Sequence, residues 1–416
     1  MRKLLSVTFF TALLTLVRMA SGFFIAKIVA VYTGPAGMGM LGQVQSMITA
    51  INGVVTSPVG NGVVRYTSQN YVKGYEFCAP WWRAALRCSI GLFFIILPLS
   101  ILFSKSISIY LFNEPKYYWL IIVSSAVLPL SVMNTFTISI INGQQLYKRY
   151  VVAGMSSVIT STFVMIFLIA KWNLNGALLA AALNLGVSGV VIMLISLRQP
   201  WLRIKYFFGK TEKENIKAIY SYVLMSITSA LAMPLALVFI RNIMVTHLGW
   251  ELTGLWQAVW KISEAYLAII TLALSTYYLP KLSNLTSFSE IRKEIHTTAA
   301  VIMPLVCLMA LCIYFLRDFA ITILFTEQFR LARDLFAIQL IGDVLKILSW
   351  LYAFPMLAKG ATKWFIFSEV FFSLTFVALT YLFITKFGIQ GASIGFACNY
   401  FLYFIFVYFN LERITR

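Results

Sequence analysis

The stretch AIQLIGDVLKILSWLYAF (337–354) is apolar enough to cross a membrane, yet it carries Asp343 and Lys346 near its middle. A charge at the centre of a bilayer costs from ~2.5–3.5 kcal/mol to more than ~10 kcal/mol, depending on how it is measured. Three residues apart on a helix, the two side chains share a face and can pair. Lys261 and Glu264 repeat that spacing in another apolar stretch, and Glu369 is a further acid in a third. Two readings follow. The charges are internal ion pairs that help helices assemble, or they line a water-filled passage where Asp343, Glu264 or Glu369 exchanges a proton or holds a coupling cation.

Arg18, Lys27 and Arg241 are also basic residues within apolar stretches. With Lys261 and Lys346 they would give a cavity of positive character, suited to an anionic substrate. The alternative is that each caps carbonyl groups or pairs with a buried acid. Gln257 and Trp260 share the stretch that holds Lys261 and are further cavity candidates. Trp256 and Trp260, four residues apart, could stack on sugar faces, but aromatic belts at the membrane interface are the commoner use of such residues and the preferred reading here.

These residues need helices to hold them. The chain has 416 residues, 60% hydrophobic and 11% charged, far too apolar for a soluble protein. Twelve stretches read as transmembrane helices: 5–32, 36–66, 84–103, 118–141, 150–170, 175–197, 218–243, 253–280, 297–316, 331–358, 364–385 and 389–410. The first is too long for a signal-peptide core and holds Arg18 and Lys27, so it reads as a membrane helix. Prolines interrupt several stretches, Pro234 being a hinge candidate. Gly53, Gly60 and Gly62 suit close helix packing.

The formal charge of +19 suggests nucleic acid until its distribution is read. With alternate connections assigned to opposite sides, twenty Lys and Arg fall on the side of the N-terminus and seven on the other. The positive-inside rule then predicts that both termini are cytoplasmic, and nucleic acid is not expected as a partner. Five cysteines without paired spacing and two distant histidines, His247 and His296, suggest neither a disulfide framework nor a metal site. There is no P-loop, GxSxG, HExxH or CxxC, no cofactor motif, and no connection long enough for a soluble catalytic domain.

The halves resemble each other. KWNLNGA (171–177) matches KFGIQGA (386–392) at an offset of 215, YLFNE (110–114) matches ILFTE (323–327) at 213, and Gln43 matches Gln257 at 214. Lys27 and Arg241 are also equivalent at 214. The expected architecture is all-α, with two parallel-repeat six-helix bundles at 1–197 and 218–416, joined by a basic cytoplasmic linker at 198–217.

TGLWQAVWKISEAYLAII (253–270), YYLPKLSNLT (277–286) and RDFAITILFTEQFRLARDLFAIQLIGDVLKILSW (317–350) resemble the bacterial O-antigen translocases. These form part of the polysaccharide-transporter family of the multidrug/oligosaccharidyl-lipid/polysaccharide (MOP) exporter superfamily. GPAGMGMLGQ (34–43) is similar to their first outer loop and second helix, and the likeness is strongest to the enterobacterial-common-antigen lipid III flippases. The resemblance implies a MATE/MOP-like fold in the bacterial inner membrane. It implies alternating-access movement of undecaprenyl-pyrophosphate-linked oligosaccharide to the periplasmic leaflet, coupled to H⁺ or Na⁺, with membrane lipids, the O-antigen polymerase and its chain-length regulator as partners. It carries roles onto Gln257, Lys261, Glu264, Arg333, Asp334, Asp343 and Lys346. A drug antiporter of the same superfamily is the alternative.

Overall fold

The computed structural model describes residues 2–415, with side chains at 2–9, 218 and 220–222 outside the described set. Among the described residues the chain is helical and has no strand. Nine helices set the frame: α1 (Arg2–Thr56), α2 (Tyr75–Leu102), α3 (Leu128–Gly143), α4 (Tyr147–Ser196), α5 (Lys213–Ala273), α6 (Phe288–Leu324), α7 (Phe336–Ala358), α8 (Thr362–Phe387) and α9 (Gln390–Thr415). Each overlaps one of nine described stretches that are long and apolar enough to cross a membrane.

Three of the helices are too long for a single crossing. At 1.5 Å per residue, the 55, 50 and 61 residues of α1, α4 and α5 would run for about 75–90 Å, against a hydrocarbon core of about 30 Å. Each is broken near its middle. Gly34 breaks α1 and Gly249 breaks α5, both at positive φ (63° and 82°), where a Cβ would clash with its own backbone. In α4 the break falls at Trp172 and Asn173, the latter at φ 45°. In α4 and α5 the chain doubles back at the break. Ser157 donates to the Ser188 carbonyl across α4, and Arg241 bonds Gln257 across α5. The twelve spans read from the sequence divide these helices at the same three places.

The chain forms two compact units, Met1–Tyr32 with Gln43–Pro234, and Thr33–Gly42 with Leu235–Arg416. The segment 198–217 lies wholly within the first unit, because its aromatic residues are core. Trp201 is fully buried and, with Phe136 and Tyr206, presents an edge or face to Trp82 at ring separations of 6.3–6.4 Å. Arg83 ties the segment down, donating to the carbonyls of Lys205 (2.6 Å), Tyr206 (3.2 Å) and Lys210 (3.4 Å), while Arg87 donates to Gly209 (2.6 Å). The start of α5 packs on the same core through Ile219 and Val223. Residues 33–42 join the second unit because Gly39 lies against the backbone of Gly254, where a Cβ would come 3.2 Å from the Gly254 nitrogen.

Candidate functional site

The buried polar centre of the second unit is built by the outgoing arm of α5 together with α7 and α9. Asp343 on α7 is fully buried. Its Oδ2 accepts hydrogen bonds from Ser263 Oγ (2.6 Å) and Tyr266 OH (2.8 Å), both on α5. Its Oδ1 accepts a longer one from Gln339 Nε2 (3.5 Å), one turn earlier on α7. Gln339 in turn accepts from Ser393 Oγ on α9 (3.1 Å). The carboxylate therefore ties α7 to α5, with α9 joined through Gln339, and this meets the requirement that a buried charge be hydrogen-bonded.

Lys346 does not complete this network. Among the described residues no ion pair joins it to Asp343, although the spacing permits one. Its ammonium instead sits among four rings, those of Trp350 (4.9 Å), Tyr400 (5.7 Å), Trp260 (5.8 Å) and Phe396 (5.9 Å). Cation–π contacts of this kind give ~0.5–1 kcal/mol when exposed and ~2 kcal/mol when desolvated. Gly342 makes the arrangement possible, since a Cβ there would lie 2.4 Å from the Phe396 ring. The three-residue spacing brought the two side chains to one face, but hydroxyl donors on a neighbouring helix took the carboxylate and aromatic faces took the ammonium.

Towards the Gly249 break lies a second group. Arg241 is 2% exposed and donates from Nε to Gln257 Oε1 at 2.9 Å. The guanidinium also lies 5.9 Å from the centre of the Trp256 ring. Trp256 and Trp260 are 0% and 3% exposed, and each indole nitrogen lacks a partner among the described residues. This corrects the interfacial-belt reading, because the two rings pack inside the bundle, with Trp260 also stacked on Phe376.

The other sequence candidates lie elsewhere. Lys261 is half-buried and Glu264 exposed, and no ion pair joins them. Glu369 is half-buried on α8 and is not hydrogen-bonded to Asp343. Arg333 and Asp334 are exposed, and Arg333 bridges to Asp318 at 3.4 Å. Arg18, exposed, and Lys27, half-buried, belong to the first unit. Sequence reasoning missed Ser263, Tyr266, Gln339, Ser393 and the ring donors Trp350, Phe396 and Tyr400. Two had a local signal, the i,i+4 spacings of Gln339 to Asp343 and of Trp350 to Lys346.

This fold is that of the MOP superfamily transporters. It superposes on an inward-facing MATE family multidrug resistance transporter of that superfamily with a TM-score of 0.77, at 15% identity, covering 96% of this chain and 98% of the other. A MOP superfamily transporter from Pyrococcus furiosus, described as having a binding pocket of reverse polarity, superposes with a TM-score of 0.66 at 15% identity, over 99% and 96% of the two chains. More particularly, the chain is similar over nearly its whole length to proteins named Lipid III flippase. It is 26% identical over 404 residues to those of Escherichia coli (strain K12) and Shigella flexneri, covering 96% of each partner. No family model matches.

Proposed function

We propose that this protein is a flippase of the bacterial inner membrane, a transporter and not an enzyme. Its substrate is an undecaprenyl-pyrophosphate-linked oligosaccharide of the O-antigen or common-antigen kind, moved from the cytoplasmic to the periplasmic leaflet by alternating access. The observation that carries this reading is the full-length similarity to lipid III flippases. The buried cations agree with it in chemistry. Lys346 is held by ring faces, and a pyrophosphate oxygen offers it a stronger, charge-assisted hydrogen bond. Arg241 and Gln257 supply a second set of donors.

Asp343 is the coupling residue in this reading. Its carboxylate oxygens join α7 to α5 directly, and Gln339 extends the network to α9, so loading or unloading an H⁺ or Na⁺ there changes which of Ser263, Tyr266 and Gln339 it holds. A site that holds helices together in one loading state and releases them in the other can couple an ion gradient to a rearrangement. The two sequence halves act as duplicated six-helix repeats, and both termini lie in the cytoplasm. The polymerase and chain-length regulator of the glycan are the proposed downstream partners.

The test is reconstitution into liposomes with the lipid-linked oligosaccharide, following its exposure to an external glycosidase with and without a pH or Na⁺ gradient. Exposure faster than in protein-free liposomes supports the proposal. No acceleration by folded protein under any gradient sinks it, and favours the drug-antiporter alternative that the MATE-like fold keeps open.

A further inference from the structure

The first unit carries an open groove that the transport reading does not use. It has a volume of about 190 Å³, and its lining includes the polar Lys148, Arg149 and Gln199 and the apolar Ile141, Val152 and Ile195. The two halves differ in kind. Lys148 and Arg149 are exposed, and among the described residues neither has a carboxylate in ion-pair reach. Among the described residues Arg149 donates to the neutral side chain of Gln199. Val152 and Ile195 are 58% and 41% exposed, and they lie near the two ends of α4, just inside the lengths read as membrane-spanning.

The cations are not there for the helix. They occupy the first turn of α4, where the macrodipole disfavours positive charge, and no side chain caps that end. The positive-inside rule explains why Lys and Arg lie on this side of the membrane. It does not explain a groove in which exposed basic residues, its mouth, stand about one turn from exposed apolar ones, its floor, at the start of the span.

We infer that this groove binds an anionic phospholipid of the cytoplasmic leaflet, with the phosphate between Lys148 and Arg149 and an acyl chain along Val152 and Ile195. The charge is complementary, and juxtamembrane Lys and Arg are the side chains that attract acidic headgroups. A soluble phosphate would use the mouth and leave the floor empty. A phosphopeptide or nucleic acid could not follow the floor into the bilayer.

The experiment compares thermal unfolding of the whole protein in vesicles of phosphatidylcholine alone and of phosphatidylcholine with phosphatidylglycerol. The anionic lipid is expected to raise the melting temperature by about 2–4 °C. The Lys148→Gln, Arg149→Gln double variant should lose most of that rise while matching the unsubstituted protein in phosphatidylcholine alone. Ile195→Trp fills the floor without touching the charge and should lose it too. A full rise in both variants overturns the site. An equal rise from inorganic phosphate in phosphatidylcholine vesicles overturns the lipid as its ligand.

Discussion

Arg241 and Gln257 are bonded side chain to side chain across the two arms of one helix that Gly249 turns back on itself. The pair has room because residue 42 is glycine. A Cβ there would come 2.6 Å from Gln257 Cδ and 3.0 Å from Arg241 Nε. Gly42→Ala should therefore destabilise the second unit by about 1–3 kcal/mol through overpacking. Gln257→Leu should cost a similar ~1–3 kcal/mol by removing an acceptor from a buried charged donor. Thermal unfolding of purified protein measures both, and an unchanged midpoint for Gly42→Ala would mean that the pair can move aside.

Asp343→Asn keeps the shape of the carboxylate and removes its ability to gain and lose charge. Flipping driven by an ion gradient should fall roughly tenfold or more, equivalent to ~1.4 kcal/mol, with little change in unfolding temperature. The variant's remaining rate should also be flat across pH. Full gradient-driven transport with an unchanged pH profile would remove Asp343 from the coupling mechanism.

Lys346→Gln should weaken transport while Lys346→Arg retains most of it, because a guanidinium also stacks on aromatic faces and binds pyrophosphate. Removing one ring of the four, as in Phe396→Leu, should alter transport less than removing the charge. Initial flipping rates at limiting substrate separate these cases.

Arg83→Ala releases three carbonyl contacts on the segment 205–210. That segment holds Lys205 and Lys210, both trypsin sites. Cleavage there should become several-fold faster while the rest of the chain stays protected, as expected of a locally loosened element. Equal cleavage rates would show that Trp201 and its neighbours hold the segment unaided.

The membrane architecture was legible because spans announce themselves through uninterrupted apolar residues, and the three helix breaks coincide with gaps between such runs. Asp343 was legible because an acid in a long apolar run is costly. Its partners were not. Ser263 and Tyr266 lie about 80 residues away in the chain, and Ser and Tyr are unremarked in membrane helices. Trp256 and Trp260 were misplaced because aromatic residues near a span's end read alike whether they face lipid headgroups or the bundle interior. The role of 198–217 was hidden by its charge, which reads as solvent-facing even though Trp201 and Tyr206 anchor it in a core.

The rings around Lys346 also make its movements visible. Trp350 and Trp260 lie 4.9 and 5.8 Å from the ammonium. Indole emission shifts with the electric field of a nearby charge, so any departure of that lysine changes the colour and brightness of the protein's own fluorescence. The cage is an unlabelled optical gauge, and each step that draws Lys346 outward can be timed by light.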